Sequence, residues 1–144
     1  MSQRSTKVQV ALALGALAVL VSGWVHFYLY FRGGYRGIAP EEVLGLTISR
    51  SFAVNAIAAV VLAEALVLGL RYRALLLPAA ALGAGFGVAT LVGYFLSRTR
   101  GLLGFEETAT TTEAVIGMVS EAIAIVVLVP VALTELRARR RPAR

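Results

Sequence analysis

The segment GYFLSRTRGLLGFEETATTTEAVIGMVSE, residues 93–121, decides the fold. It contains the end of one apolar run, a short polar loop and the start of the next apolar run, which carries Glu113 at its beginning and Glu121 further in. About 20 consecutive apolar residues are enough to cross a bilayer as a helix. A polar loop between two such runs therefore predicts two consecutive membrane-spanning helices, with a glutamate inside the second.

The composition of the whole chain indicates an integral membrane protein. Of its 144 residues, 58% are hydrophobic and 15% are charged, and the mean hydropathy is +0.80. Soluble domains are about 45–50% apolar and about 25% charged, so the surplus here would have to lie on the surface. The absence of cysteine excludes disulfides and thiolate metal sites.

Four apolar runs predict an all-α fold, an integral membrane four-helix bundle with up-down-up-down topology in a single domain, residues 1–144. Pro40 precedes two glutamates, a pattern typical of a helix start, so the second helix is expected to begin as early as residue 40. Threonines 110–112 are expected to cap the fourth helix. The predicted spans are 8–31, 51–70, 74–96 and 113–136.

The distribution of basic residues predicts that both termini are cytoplasmic. An even number of spans places the termini and the Arg71–Arg73 connection on one side, and that side holds nine of the fourteen basic residues. Short cytoplasmic flanks are enriched in Lys and Arg, which indicates a multi-pass protein of the plasma membrane in this orientation. The nine are Arg4, Lys7, Arg71, Arg73, Arg137, Arg139, Arg140, Arg141 and Arg144.

The net charge of +6 does not indicate nucleic-acid binding. The charge lies in tails and loops beside apolar runs, a pattern that suits the anionic headgroups of a lipid bilayer. A nucleic-acid-binding protein instead needs a basic face and a recognisable motif. The bilayer is therefore the expected partner.

Small residues recur at four-residue spacing in the third span, at Ala79, Gly83 and Gly87. In lipid, such spacing lets two helix backbones approach closely. This face is expected to be the central packing surface, and it is also the expected interface for a homodimer or a partner membrane subunit.

The polar residues of both outer loops and the adjoining helix ends form a candidate ligand-binding cluster near the outer face. Its paired arginines and glutamates suit an anionic or zwitterionic group. The cluster comprises His26, Tyr35, Arg36, Asn55, Arg98, Glu106, Glu107 and Glu121.

Glu121 is the most informative member of this cluster. It lies eight residues into the fourth span, or about 12 Å at 1.5 Å per residue, and an ionisable group inside a membrane is a functional candidate. Arg98 is the preferred partner, with Arg50 and His26 as alternatives, and a purely structural staple between helices remains open. Glu64 is expected to reach the inner headgroups or to pair with Arg71 or Arg73.

Catalytic and cofactor motifs are absent from the sequence. The chain has one histidine, no cysteine and no aspartate, and no phosphate loop, metalloprotease helix or nucleophile motif. One histidine does not make a multi-histidine zinc site. No cofactor or metal is therefore expected, although His26 and Met118 remain open as a haem pair.

Two loop strings carry a resemblance to other chains. GGYRGI at 33–38 and GYFLSRTRGLLGFEE at 93–107, with a lone histidine ending span one and a glutamate in span four, resemble an uncharacterised class of small four-span membrane proteins from high-GC bacteria. In size and shape the chain is also similar to DoxX-like proteins. The resemblance implies the four-span fold and no activity.

The sequence favours a non-enzymatic ligand-binding or accessory membrane protein. The first alternative is a proton-coupled small-molecule transporter that works as a homodimer, with Glu121 or Glu64 as proton carrier. The second is a haem-binding protein or an intramembrane enzyme, and a purely structural role is the third.

Overall fold

Four long helices make up the computed structural model, which describes residues 5–140. Each helix is long and apolar enough to cross a membrane, and each predicted span lies inside one of them. Arg4, Arg141 and Arg144 of the predicted cytoplasmic set lie outside the described residues. The helices are α1 (Thr6–Phe31), α2 (Ile48–Arg71), α3 (Arg73–Thr99) and α4 (Thr112–Arg140).

The helices pack as a four-membered ring. α1 contacts α2 and α4, α3 contacts the same two helices, and α1 and α3 meet only weakly across the diagonal. Tyr72 alone connects α2 to α3. We call this end of the bundle the tail end, and the end with the connecting segments 32–47 and 100–111 the loop end.

The second helix begins later than Pro40, so that prediction is wrong. The chain first reverses in a tight turn, in which Val43 and Leu46 form an antiparallel bridge and Leu44 and Gly45 have φ of 52° and 79°. α2 then starts at Ile48, and the Thr47 hydroxyl accepts a hydrogen bond of 3.1 Å from the Arg50 amide. The turn interrupts the helix that the two glutamates favour.

The second connecting segment contains the same turn. Leu102 and Phe105 form an antiparallel bridge, and Leu103 and Gly104 between them have φ of 51° and 68°. Positive φ at both central residues is typical of the two-residue turn that closes a β-hairpin. The two halves of the chain therefore share one plan of helix, tight turn and helix.

The interior of the tail half is filled by leucine side chains, and the space found at this end is an open surface groove between α1 and α4. Leu12, Leu66 and Leu128 come from three different helices, and each is 0% exposed. Leu128 lies between two glycines, because a Cβ at Gly15 would be 2.4 Å from its Cδ2 and a Cβ at Gly83 would be 2.8 Å from its Cδ1. These leucines form an apolar layer that closes the tail half.

The small-residue face of α3 lies inside the bundle. Ala79 is 2% exposed, and Gly83 and Gly87 are also buried. A Cβ at Gly87 would be 2.9 Å from the carbonyl oxygen of Glu121, so α3 and α4 approach closely here. The face is thus a packing surface within one chain. Whether a second chain also uses this face, as a homodimer or as a partner membrane subunit, stays a prediction.

A cluster of charged residues joins α3 to α4 at the tail end. The Glu135 carboxylate, 11% exposed, accepts from Arg73 at 3.3 Å and from Arg139 at 3.5 Å. Pro78 lies inside α3 and lacks the N–H that would bond the Ala74 carbonyl. Arg139 donates to that carbonyl at 3.4 Å. One arginine thus compensates for the proline and holds the glutamate.

Replacing Glu135 should loosen the tail end. Glu135→Gln removes the charge that both arginines face, and we expect the free energy of unfolding in detergent to fall by about 1 kcal/mol, because ion pairs with solvent-exposed arginines are worth up to about that much. Glu64→Gln is the matched control, since Glu64 is exposed and the ion pairs among residues 5–140 do not include it. Equal stability of the two variants would contradict a structural role for Glu135.

Candidate functional site

The loop half of the bundle encloses a cavity of about 240 Å³. All four helices and both connecting segments line it. Each helix contributes at least one polar side chain, and the most inward of these include His26 from α1, Asn55 from α2, Thr90 from α3 and Glu121 from α4. Aromatic rings and small apolar residues supply most of the remaining wall. Such an apolar cavity with a few convergent polar groups is typical of a ligand site.

Glu121 is buried and hydrogen-bonded to α1. The residue is 4% exposed, and the Ser22 hydroxyl donates to its Oε1 at 2.8 Å. The close approach of Gly87 to the Glu121 backbone fixes how far α4 stands from α3. Ser22 is itself 0% exposed, so this hydrogen bond joins α1 to α4 inside the bundle.

The prediction that Arg98 is the partner of Glu121 is wrong. Arg98–Glu121 is not among the ion pairs of the described chain, and Arg98 Nη1 is buried without a hydrogen-bond partner. The alternatives Arg50 and His26 are not its partners either, because Arg50 pairs with Glu42 at 3.1 Å and His26 bonds to a backbone carbonyl. A neutral hydroxyl, and not a cation, meets the carboxyl group.

His26 is held in place by its own helix and by α2. Its Nδ1 lies 2.8 Å from the Ser22 carbonyl oxygen, which can only accept, so Nδ1 carries the proton and Nε2 is the acceptor of the neutral ring. The ring packs against Phe52 with centroids 5.3 Å apart. His26 therefore presents a fixed ring to the cavity.

Residues of the two connecting segments cover the cavity at the loop end. The Tyr35 hydroxyl of the first segment donates to the Glu107 carboxylate of the second. The Tyr35 ring stacks on Phe52 at 4.3 Å and meets the Phe105 ring edge-on at 5.6 Å. The Glu107 amide bonds to the Ser97 carbonyl at 3.0 Å, which ties this cover to the end of α3.

Burial and the neighbouring Glu107 raise the pKa of Tyr35 well above its ordinary value of 10.0. A raised pKa in the folded protein means that the stabilisation is complete below about pH 10 and is lost as the pH rises further. We therefore expect Tyr35 to ionise above the ordinary range of tyrosine, and Tyr35→Phe to remove a late step from the ultraviolet titration of tyrosinate. Loss of an early step instead would contradict the contact with Glu107.

The cavity brings together five of the eight predicted site residues. His26, Asn55 and Glu121 line it from the helices, and Tyr35 and Glu107 line it from the cover. The other three do not line it. The Arg36 guanidinium stands 6.0 Å over the Phe31 ring, Arg98 is half-buried beside Ser97, and Glu106 is exposed.

The charged residues that line the cavity are both acidic. They are Glu107 and Glu121, and the arginines of the loop end stay outside the lining. Within residues 5–140 no group of three or more His, Asp or Glu side chains is placed to hold a metal ion. His26 and Met118, the two residues considered as haem ligands, both line the cavity.

Four lining or supporting residues were missed in the sequence: Ser22, Phe52, Thr90 and Phe105. A signal existed for Ser22, because it precedes His26 by four residues and so lies on the same face of α1. Thr90 donates to the carbonyls of Phe86 and Gly87 in its own helix. Nothing in the sequence distinguishes it from a lipid-facing threonine.

The fold and the site together define a class: a four-helix chain compatible with a small membrane protein, with a cavity of mixed polar and aromatic lining at one end. Comparison with known proteins finds no family, no curated protein and no solved structure that matches the chain. The resemblance drawn from the loop strings stays a prediction.

Proposed function

We propose that this chain is a small integral protein of the plasma membrane that binds a small ligand in the cavity at its loop end and is not an enzyme. The observation that carries the proposal is the contrast between the two halves of the bundle. The loop half holds a cavity of about 240 Å³ with at least one polar side chain from each helix. The tail half is filled by the apolar layer of Leu12, Leu66 and Leu128. A space that is closed at one end suits binding better than passage.

The orientation follows from the basic residues. With α1 to α4 crossing the bilayer in alternating directions and both termini in the cytoplasm, the loop end faces outward and the cavity is reached from outside. Because the chain has no cysteine, single cysteines report sidedness directly. We expect an impermeant maleimide to label Glu106→Cys in intact cells and Tyr72→Cys only after permeabilisation. The reverse pattern would contradict the orientation.

Filling the cavity should abolish binding. Ala114 lines the cavity, so Ala114→Phe places a ring inside it, whereas the adjacent Val115 is 44% exposed and Val115→Phe adds the same ring at the bundle surface. Small polar and aromatic compounds are screened for thermal stabilisation of the purified protein, since a ligand that binds only the folded state raises its melting temperature. We expect the stabilising compounds to act on wild type and Val115→Phe and to have no effect on Ala114→Phe.

A screen that yields no stabilising compound, or compounds that act equally on Ala114→Phe, would contradict the proposed binding site. Docking of a partner membrane subunit on the loop end would then be the better account of the polar residues there.

Proton-coupled transport is the second candidate, favoured by the burial of Glu121 against a neutral hydroxyl. Transport requires the apolar layer of the tail half to open in another conformation. If a proton gradient drives uptake of a small molecule into proteoliposomes that contain wild type, and Glu121→Gln abolishes this uptake, transport is favoured over binding alone. Equal flux with wild type and Glu121→Gln would remove Glu121 as the proton carrier.

A further inference from the structure

The charge of the cavity lining is one-sided. Glu121 lies at the inner end of the cavity and Glu107 in its cover, and both are acidic. No arginine of the described chain lines the cavity: Arg50 pairs with Glu42, Arg36 stands over Phe31, and Arg98 lies outside the lining. An anionic group in the cavity would therefore meet carboxylates without a compensating cation. The anionic or zwitterionic ligand expected from the sequence does not fit this lining.

Aromatic rings that contact one another form one wall of the cavity. The centroid of the Phe52 ring lies 4.3 Å from that of Tyr35 and 5.3 Å from that of His26. The Phe105 ring contacts the Tyr35 ring edge-on, with centroids 5.6 Å apart. The face of an aromatic ring attracts a cation. An ammonium group that enters the cavity therefore lies against this aromatic wall.

Glu121 retains capacity to accept hydrogen bonds. Ser22 donates to Oε1, and a carboxylate offers about four acceptor positions in all. A protonated amine entering the cavity would find this acceptor at the inner end. A neutral amine that meets a protonated Glu121 takes the proton, so that the same ammonium–carboxylate pair results.

We propose that the cavity selects a small organic cation, a protonated amine or a quaternary ammonium group, held between the rings of Phe52, Tyr35 and Phe105 and the carboxylate of Glu121. This inference rests on the proposed binding function and names its ligand class. The volume of about 240 Å³ is below the 300–1,000 Å³ of common ligand sites, so the ligand, or the part of it that enters, is small.

Three probes of nearly equal shape test the charge selectivity. Choline carries a trimethylammonium group, dimethylbutanol replaces that group by an uncharged tert-butyl group, and glycine betaine adds a carboxylate to it. Binding is measured by calorimetry on the protein purified in a maltoside detergent, which has neither charge nor an ammonium headgroup. We expect choline to bind at least about tenfold more tightly than dimethylbutanol, a difference of about 1.4 kcal/mol. Betaine should bind more weakly than choline.

Variants separate charge from cavity shape. Glu121→Gln should lower the affinity for choline about tenfold and leave that for dimethylbutanol unchanged, because the amide keeps the shape and loses the charge. Phe52→Leu should lower choline affinity several-fold. Glu106→Gln is the matched control, since Glu106 is exposed beside Glu107 and outside the cavity, and it should bind choline as wild type does.

The outcomes distinguish this inference from the proposed function. Equal affinity for choline and dimethylbutanol, lost in Ala114→Phe, would overturn cation selectivity and leave the binding function standing. Tighter binding of betaine than of choline, or no binding of any of the three probes, would overturn the inference. The proposed binding function would still be tested separately by the compound screen.

If choline binds in maltoside and is displaced in phosphatidylcholine nanodiscs, the cation is a lipid headgroup. Unchanged affinity in nanodiscs indicates a free amine. Either result supports a small organic cation as the ligand.

Discussion

Gly15→Ala is expected to destabilise the protein by about 3 kcal/mol, the upper part of the range for an added methyl group in a packed core. The new Cβ would lie 2.4 Å from Leu128 Cδ2 and 2.7 Å from its Cγ. Leu128 is 0% exposed and has Gly83 close on its other side, so it cannot move away without disturbing α3. Unfolding in mixed detergent micelles measures the change.

A second substitution and a matched control complete this test. Leu128→Ala alone should cost about 2–5 kcal/mol, yet combined with Gly15→Ala it should cost clearly less than the two effects added, because the new methyl group occupies vacated space. Gly85→Ala adds the same methyl group where no atom lies within 4 Å, and it should leave stability unchanged or raise it slightly. Additive effects, or an equally harmful Gly85→Ala, would contradict the packing of Leu128 between two glycines.

Glu121→Leu is expected to lower the free energy of unfolding by about 1–3 kcal/mol, whereas Glu121→Gln should lower it by much less. Leucine leaves the fully buried Ser22 hydroxyl without its acceptor, and a buried unpaired polar group costs about that amount. Glutamine keeps an oxygen at the same distance. The two variants therefore separate the structural part of Glu121 from the part that its charge plays in binding.

A double-mutant cycle with Ser22→Ala measures this contact. When Ser22 is already alanine, Glu121→Leu should cost clearly less, because no donor is left unpaired. The same cost of Glu121→Leu in both backgrounds would show that the hydrogen bond between Ser22 and Glu121 contributes nothing measurable. Thr99→Val, which changes an exposed hydroxyl bonded within its own helix, serves as the comparison and should not couple to Glu121 in this way.

The helices could be predicted from the sequence because the length and apolarity of a run suffice to identify them. The threonines 110–112 were also informative, since the Thr111 hydroxyl accepts from the Ala114 amide at 3.2 Å. The turn at Leu44 and Gly45 could not be predicted, because leucine rarely adopts positive φ and the helix signal after Pro40 is strong on its own.

The site was only partly predictable, for a physical reason. Depth along a span follows from residue number, so His26 and Asn55 could be placed near the outer ends of their spans and Glu121 about 12 Å further in. The rotation of each helix about its axis depends on packing, and the close contacts of Gly87 with α4 and of Gly23 with Ala59 set it here. Arg98 was chosen as a partner for its short separation along the chain, which says nothing about rotation. Ser22, on a helix distant in sequence, faces Glu121 instead.

The central claim is that a ligand-accessible cavity lies among the four helices at the loop end, and neighbouring cysteines test it most directly. Asn55 lines the cavity, while Val54, the preceding residue, is 54% exposed on the lipid-facing surface. In this cysteine-free chain, Asn55→Cys should react with a small trimethylammonium methanethiosulfonate added from outside, and choline should slow that reaction. Val54→Cys should react little, because a thiol in lipid stays protonated. Reaction at residue 54 but not at residue 55 would contradict the account.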